Sequence, residues 1–519
     1  MSKAKRKSNK KSVVKKPAGK ANATRSLWIT LGIIAGVTIL AMSPLFNAGF
    51  VDIDDKKLIL DKANMFLHTP ERIFSYVFGS PHYKPVTYLT WMLEYRIVGP
   101  NPFLFHFNNI LLHVLNTILV FFLIRNIASK FDKLKGHEVH IAFFTALLFG
   151  VHPMHVESVG WAVERKDVLY TCFYLLGLLG YVRYLNEGKI LPLILSVGAY
   201  FLSVMSKSPG ITMLPVLFLL DFTWQRKLSA RLFIEKLGHF GVFGFALYAL
   251  GVIGRSSGEG SIAAMVTDKK LARAENITEY TSVYGKAVLA GLRACLWYVH
   301  SLFPVRLSLG YPREQIIGFF GPLIHAFPWI LVAAGALLLR FSRKYGLLFF
   351  THAFFFITLA PAILRLDLGI GIYMSDRYVY LSVLGLLFLI VAWIWTAREK
   401  SWLTEKTKKG ILIGLCAIAA IMSFAESRVW KNTETLWTNV INKYPSVDYA
   451  WINRASYYRE QGQYERALAD ATKGIEVDDN ANARVQRGLI QRQMGNPQAA
   501  LTDYNRALEL EKDNTQAYT

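Results

Sequence analysis

The chain has 519 residues, of which 53% are hydrophobic, and a formal net charge of +23. Apolar runs of about 20 residues recur along it, each long enough to cross a hydrocarbon core of roughly 30 Å, which excludes an ordinary soluble globular protein. The excess Lys and Arg lies mostly in an N-terminal tail and in short loops between apolar runs. This distribution is typical of membrane topology and argues against nucleic acid as a partner. The three cysteines all lie in apolar runs, which excludes a disulfide framework.

Residues 1–26 are predicted to form a basic cytoplasmic tail. The first 25 residues contain ten Lys or Arg and no acidic residue, a composition typical of a disordered arm that keeps the N-terminus inside. A cleaved signal peptide is the alternative, but the apolar run at 27–46 is long for one and no small-x-small cleavage pattern follows it.

The apolar runs predict an all-α fold, a polytopic membrane bundle of about 11 spans. The predicted spans are 27–49, 105–128, 139–154, 167–184, 190–205, 209–223, 232–253, 317–339, 346–364, 377–397 and 410–425. A further apolar stretch at 286–303 is interpreted as re-entrant or interfacial. If it crossed the membrane, the basic clusters around 340–344 and 398–409 would both lie outside, against the positive-inside rule.

This topology places the loops with unusual polar residues on the outer face, together with the C-terminal region. These loops are 50–104, 152–167, 206–208, 254–316 and 365–376. Because so many polar groups converge on one face, we expect a functional site there.

From about residue 448 the chain becomes polar and repetitive. The pattern that starts at Arg454-Ala455 recurs at Arg487-Gly488, a shift of 33 residues, and small residues recur at the spacing of packed helix pairs. It resembles the tetratricopeptide repeat, whose usual period is 34 residues. Two repeats are few for a solenoid, so we expect the array to lean on the membrane part or on a partner.

The first outer loop begins with three carboxylates, Asp52, Asp54 and Asp55. Neighbouring carboxylates raise one another's pKa, and one of them is placed to act as a general base for an acceptor hydroxyl. Asp52 and Asp54 have the spacing to ligate Mg²⁺ or Mn²⁺, although no cofactor is certain. The alternative is an acidic turn that caps a helix.

A second cluster of ionisable residues lies between two apolar runs. It contains His152, His155, Glu157, Glu164, Arg165 and Lys166. The two histidines lack the helical spacing of common zinc motifs. We therefore interpret the histidines and the two cations as a phosphate site in which the glutamates orient their neighbours.

Three more cations lie in loops of the same face: Lys207, Arg306 and Arg377, the last next to Asp376. A lone Lys or Arg at a membrane surface is usually an anchor whose charge reaches the interface. Several of them beside an acidic loop favour a site for an anionic head group.

In chain order these motifs resemble a known family. They are Asp-Asp after the first helix, His-Pro-x-His-x-Glu-Ser, Glu-Arg-Lys-Asp, Ser-Lys, Phe-Pro, Tyr-Pro and Asp-Arg-Tyr-x-Tyr, followed by tetratricopeptide repeats. The order resembles that of the transmembrane and tetratricopeptide-repeat-containing mannosyltransferases and their bacterial relatives, in the GT-C glycosyltransferase superfamily. The resemblance spans about residues 27–519, with 149–170 its most specific part.

The resemblance implies a polyprenyl-phosphate sugar donor, an outward-facing site and inversion at the anomeric carbon. It implies Asp54 or Asp55 as the catalytic carboxylate. It further implies that the histidines and cations of the outer face line the donor site.

We therefore expect an integral membrane glycosyltransferase that transfers a sugar, mannose by resemblance, to a hydroxyl of a protein or glycan acceptor. Its expected parts are the tail 1–26, a GT-C-like transmembrane catalytic domain at 27–430 and a repeat region at 431–519. The location favoured is a bacterial inner membrane over the endoplasmic reticulum. The alternatives are a lipid-linked sugar flippase, or a non-enzymatic scaffold that binds a protein partner through its repeats.

Overall fold

The computed structural model describes residues 18–60, 69–75, 78–79, 82–252, 283–312, 318–342, 344–364, 374–398 and 401–512. Within these ranges every regular element is a helix and no β-strand is formed, which confirms the all-α prediction. The first 17 residues of the predicted basic tail lie outside the described ranges, as do parts of the predicted outer loops.

Sixteen α-helices of the described chain belong to the membrane part. They are α1 (Ala18–Met42), α2 (Pro70–Ser75), α3 (Pro85–Val98), α4 (Pro102–Ala128), α5 (Glu138–Gly150), α6 (His155–Gly160), α7 (Arg165–Glu187), α8 (Ile190–Ser206), α9 (Met213–Thr223), α10 (Ala230–Ile234), α11 (Leu237–Ala249), α12 (Val283–Leu302), α13 (Phe327–Arg340), α14 (Gly346–Leu364), α15 (Val383–Thr396) and α16 (Glu405–Ser427). Short 3₁₀ turns join several of them, at Ser43–Asn47, Asp132–Leu134, Ala162–Glu164, Ser208–Thr212, Gly321–Ala326, Asp376–Val379 and Arg428–Lys431, and a π turn covers Lys56–Leu60.

Six helices of the described chain are long and apolar enough to cross a membrane: Thr24–Asn47, Pro102–Ala128, Ala162–Glu187, Gly318–Arg340, Gly346–Leu364 and Glu405–Lys431. The chain is thus a membrane protein. Five shorter apolar helices coincide with the other predicted spans: Glu138–Gly150, Ile190–Ser206, Ser208–Thr223, Leu237–Ala249 and Val383–Thr396. At 1.5 Å per residue these are shorter than a hydrocarbon core, so the count of about 11 crossings stays a prediction.

The predicted re-entrant stretch forms the single helix α12. One of its faces is buried through Val288, Leu292 and Trp297, against α13 and α14. The buried face also includes Arg293, whose guanidinium reaches the carbonyl of Ala362 at 3.5 Å. A charge held on the protein-facing side is compatible with a membrane-embedded helix. Its interfacial or re-entrant placement stays a prediction.

A polar stripe on α4 supports the irregular backbone at the site. Asn109, His113 and Asn116 share one face of the helix because they are spaced by four and three residues. Their side chains bond to backbone carbonyls of the segment 150–168, at 3.3 Å for Asn109, 2.9 Å for His113 and 2.8 Å for Asn116. Non-helical backbone at membrane depth is tolerated where protein groups satisfy it, and this stripe does so.

The C-terminal region contains a connecting helix and two helix pairs. The helices are α17 (Thr433–Lys443), α18 (Asp448–Glu460), α19 (Tyr464–Val477), α20 (Ala481–Gln493) and α21 (Pro497–Leu510). The two pairs carry the same ion pair at equivalent positions. Arg454 contacts Asp470 at 2.7 and 2.9 Å, and Arg487 contacts Asp503 at 2.8 and 2.7 Å. The predicted repeat is therefore present in the packing as well as in the sequence.

The repeat array packs against the membrane part, as expected from the sequence. The hydroxyl of Thr433 accepts a hydrogen bond from the backbone N–H of Asp52 at 2.8 Å, and Lys56 pairs with Glu460 at 2.7 Å. The connecting helix buries Trp437 and its neighbours in the same apolar core as the membrane helices. Residues of the first outer loop therefore lie against the start of the array.

We predict that Gly488→Val destabilises the second repeat by about 1–3 kcal/mol, because overpacking a close helix contact costs that much. A Cβ at Gly488 would lie 2.5 Å from Cε1 and 2.9 Å from Cδ1 of the Tyr504 ring on the facing helix. Thermal unfolding followed by limited proteolysis of the array measures the effect. Ala499→Val, at an exposed position of α21, is the control. Equal stability of the two variants would contradict the close packing.

Candidate functional site

Separate stretches of the chain meet at one end of the helical bundle. The break between α5 and α7 contacts the first outer loop, the connection after α8, the end of α12 and the turn that precedes α15. Helix α5 ends at Gly150, and Pro153 disfavours its continuation, because proline removes a backbone donor and disfavours helix in the residue before it. The short helix α6 (His155–Gly160) and the 3₁₀ turn at Ala162–Glu164 follow. They place Glu157 and Glu164 in the interior.

Glu164 collects three cations from different parts of the chain. Its carboxylate lies 2.8 Å from the ammonium of Lys166, 3.4 Å from that of Lys207 and 3.4 Å from Nε of Arg377. The Glu164 side chain is 2% exposed, whereas the two lysines are each 10% exposed. Lys207 also pairs with Asp167, a residue of the sequence motif whose role the sequence did not reveal. The cations are therefore held in place by carboxylates, with one edge open.

Glu157 binds the turn that carries Arg377. It pairs with the Arg377 guanidinium, accepts the Arg377 backbone N–H at 3.1 Å and accepts the Ser375 hydroxyl at 2.5 Å. Burial raises the pKa of Glu157, against the lowering effect of Arg377. The guanidinium also lies over the rings of Trp161 at 5.2 Å and Tyr378 at 4.9 Å. Arg377 is consequently positioned by charge, backbone and aromatic contacts together.

Asp376 faces the opposite side of the same turn. It accepts a hydrogen bond from the Tyr311 hydroxyl at 2.8 Å and lies 3.5 Å from Nε2 of His300. Nε2 of His300 is also 2.9 Å from that hydroxyl. Tyr311 belongs to the Tyr-Pro motif, but neither it nor His300 was predicted as a site residue, because a single Tyr or His near a membrane surface is common.

The two predicted site histidines are buried and use one nitrogen each on a backbone carbonyl. Nε2 of His152 lies 3.1 Å from the carbonyl of Ser301, and Nδ1 of His155 lies 2.7 Å from that of Phe149. Burial lowers the pKa of His152 to about 4 and that of His155 well below the ordinary value, so both are neutral at pH 7. A neutral imidazole has one N–H, and here a carbonyl takes it. These contacts favour a structural role over phosphate binding.

Arg165 is directed away from the other cations. Its guanidinium pairs with Glu94 of α3, donates to Asn109 at 2.9 Å and to the carbonyl of Phe105 at 3.0 Å. Both charged side chains are at most 3% exposed. The sequence did not indicate Glu94, because a single acid in a long outer loop carries no pattern. Breaking such a buried pair leaves one uncompensated charge in the interior.

Arg306, the remaining predicted cation, lies at the protein surface. Its exposed side chain lies over the ring of Tyr444, with the guanidinium 5.7 Å from the ring centre. Its backbone is left-handed, with φ of 56°, which is uncommon for a residue other than glycine.

The three aspartates of the first loop are in different environments. Asp55 is fully buried, and its carboxylate accepts the backbone N–H of Val51 at 2.9 Å and that of Val163 at 3.1 Å. Asp54 is partly exposed, and its carboxylate has no hydrogen-bond or ion-pair partner within the described ranges. Burial raises the pKa of Asp55 to about 7, against the effect of the two backbone hydrogen bonds. Asp55 thus anchors the loop beside Glu164, while Asp54 stays accessible.

Among the residues that the structure describes, no group of three or more His, Cys, Asp or Glu is arranged to hold a metal ion. Asp52 and Asp54, the pair that the sequence singled out, lie on the same short turn before the π turn at Lys56–Leu60.

Comparisons with known proteins agree with the motifs. Residues 449–480 and 481–514 match the tetratricopeptide repeat family. The chain is 26% identical over 495 residues to protein O-mannosyl-transferase TMTC4 of Mus musculus and 24% identical over 492 residues to that of Homo sapiens. It is 24% identical over 433 residues to protein O-mannosyl-transferase TMTC1 of Homo sapiens. The resemblance to the transmembrane and tetratricopeptide-repeat family is confirmed.

The matches cover most of this chain and a smaller share of the relatives. They span 85% of the chain and 65% of each TMTC4 protein, and 74% of the chain and 47% of the TMTC1 protein. The chain thus spans about two thirds of the length of the TMTC4 relatives.

We predict that Asp55 makes the folded state less stable as the pH rises from about 4 to about 7. Folding raises its pKa from 3.8 to about 7, so the folded state binds this proton more tightly than the unfolded state. The stabilisation is full below the unfolded pKa and is lost as the pH rises through the folded pKa. Thermal unfolding of Asp55→Asn at several pH values should give a flatter profile than wild type.

Asp132→Asn, at an exposed acid near the other end of α4, is the matched control and should keep the wild-type slope. Parallel pH profiles for wild type and Asp55→Asn would show that the buried carboxyl does not titrate in this range.

Proposed function

We propose that this chain is an integral membrane glycosyltransferase that transfers mannose from a polyprenyl-phosphate donor to a protein hydroxyl. The observation that carries the proposal is the convergence of Lys166, Lys207 and Arg377 on Glu164, next to the loop of Asp54. The backbone bond from Val163 to Asp55 brings the two halves of the site together. The printed names of the relatives, protein O-mannosyl-transferases, support the same reaction and a protein acceptor.

In the proposed reaction Asp54 accepts the proton of the acceptor hydroxyl. The hydroxyl oxygen attacks the anomeric carbon, a new C–O bond forms, and the bond from that carbon to the phosphate oxygen breaks with inversion. The electron pair leaves with the lipid phosphate, whose charge Lys166, Lys207 and Arg377 stabilise in a partly dry site. Asp54 fits the role of base better than Asp55, because the Asp55 carboxylate already accepts two backbone hydrogen bonds.

The cations are balanced by carboxylates before donor binds, so an added phosphate brings extra negative charge. Glu157 offers a way to offset it, since burial raises its pKa and favours uptake of a proton. If the ammonium groups of Lys166 and Lys207 move from the Glu164 carboxylate to the phosphate, each exchanges one charge-assisted hydrogen bond for another. Lys166 and Lys207 are each 10% exposed and Arg377 is 16% exposed, which leaves an edge of each within reach of a head group.

We further propose that this site opens on the outer face of the membrane, with the N-terminus in the cytoplasm and the repeats outside. The loop charges support this orientation. The preference for a bacterial inner membrane stays a prediction.

We predict that Asp54→Asn lowers sugar transfer by about two orders of magnitude or more, because general base catalysis contributes on that scale. Donor binding should stay close to wild type, since Asp54 does not contact the cations. Transfer of labelled mannose to an acceptor peptide in reconstituted membranes measures the rate of sugar transfer. Binding of polyprenyl phosphate measures the affinity for the donor. Asp132→Asn is the control, and a wild-type rate in Asp54→Asn would remove the carboxylate from the mechanism.

We also predict that Lys166→Gln, Lys207→Gln and Arg377→Gln each raise the KM for donor by about tenfold to a hundredfold. A charge-assisted hydrogen bond contributes roughly 1.5–3 kcal/mol, and each 1.4 kcal/mol is a factor of ten. The KM for acceptor should change less. Titration of both substrates measures the split, with thermal unfolding as a check on folding.

Two matched variants sharpen this test. Lys189→Gln removes an exposed cation away from the cluster and should leave both KM values unchanged. Arg165→Gln should lower the yield and thermal stability of folded protein, because it leaves Glu94 buried without its cation. If the three cluster variants retain the wild-type donor KM, the phosphate is bound elsewhere.

A further inference from the structure

Lys443, the last residue of α17, lies between the repeat array and the site. Its ammonium lies 3.7 Å from the carboxylate of Glu426 on α16 and donates a hydrogen bond to the backbone carbonyl of Leu307. Glu426 is within electrostatic range of Asp376 and Glu157. One lysine therefore joins the connecting helix to a carboxylate beside the site and to the segment 303–312.

That segment receives two more contacts from the array side. The guanidinium of Arg306 lies over the ring of Tyr444, the residue after Lys443. A Cβ added at Gly310 would overlap the hydroxyl of Tyr449, so the first repeat helix packs directly on the glycine backbone. The segment is thus contacted at three points, by Lys443 at the end of α17, by Tyr444 directly after it and by Tyr449 of α18.

Tyr311, at the end of the same segment, connects the segment to the turn that carries Arg377. Its hydroxyl lies 3.2 Å from the backbone N–H of Ser308, which donates to it, and 2.9 Å from Nε2 of His300. It donates in turn to Asp376 at 2.8 Å. Asp376 is the neighbour of Arg377, whose backbone N–H and guanidinium both bind Glu157. A displacement of Tyr311 therefore moves the turn that carries Arg377.

We propose that Lys443 is a positioning residue for the donor phosphate, through which the repeat array holds Arg377 in place by way of Leu307, Tyr311 and Asp376. This inference rests on the proposed function, since it assigns Arg377 to the donor phosphate. In this positioning role, Lys443 does not contact the substrate. Its effect reaches the phosphate through the segment 303–312 and through its pair with Glu426, so it should act on donor binding and leave acceptor binding alone.

A purely structural role for Lys443 makes a different forecast. Loss of packing or of the Glu426 pair would lower thermal stability and reduce the fraction of active protein, with both KM values unchanged. A positioning role leaves the protein folded and changes the affinity for the phosphate. The two are therefore separated by comparing KM with kcat.

The test uses the full chain in reconstituted membranes with Lys443→Met, Lys443→Arg and Tyr311→Phe. Lys443→Met and Tyr311→Phe should each raise the KM for polyprenyl-phosphate mannose by about tenfold, with kcat and the KM for acceptor peptide within about twofold of wild type. Lys443→Arg should restore most of the donor KM, because it keeps the charge and the donors. Lys473→Met, at an exposed lysine of α19 paired with Glu476, is the matched control and should behave as wild type.

Direct binding of polyprenyl phosphate, without sugar or acceptor, separates this inference from the function it rests on. If wild type binds no polyprenyl phosphate, the proposed donor is wrong. If wild type binds it and Lys443→Met and Tyr311→Phe bind it equally well, the positioning role is wrong while the proposed function stands. An equal loss of signal that follows thermal stability in every variant would likewise overturn the positioning role.

Discussion

The arrangement of the site depends on the need to pair every charge buried at one end of the helical bundle. Glu164 is nearly inaccessible to solvent and has cations from three chain segments around it. An unpaired ion in such a place costs several kcal/mol, so each segment has a preferred position only when the others are present. The break after α5, the connection after α8 and the turn before α15 are thereby drawn to one point.

The same end of the bundle contains backbone that is not helical, and this backbone also needs partners. The polar stripe of α4 provides some of them, because Asn109 and His113 bond to the carbonyls of Val159 and Gly150 at the helix ends beside the break, while Asn116 bonds to the carbonyl of Val168 in α7. His113 and Asn116 also contact the hydroxyl of Tyr380, at 2.7 and 3.1 Å, which ties the start of α15 to the stripe. These hydrogen bonds hold the irregular turns against α4.

The repeat array is part of this support. The described repeats and their connecting helix pack on the first loop, on the segment 303–312 and on the end of α16. The array covers the residues that precede Tyr311 in the membrane part, and the membrane part in turn supports the array.

The sequence by itself determined the helical membrane class, the helix positions and the repeats, because hydropathy and periodicity are local properties of the chain. It also indicated the polar residues of the site, since charged groups between apolar runs are unusual wherever they lie. Only the tertiary structure decided their partners. Arg165 and Lys166 are neighbours in sequence, yet one binds Glu94, 71 residues away, and the other binds Glu164. Asp54 and Asp55 are likewise neighbours of the same residue type, yet the fold buries Asp55 and leaves Asp54 partly exposed. Such choices depend on distances between segments far apart in the chain, and the free energy of pairing a buried charge is set by those distances.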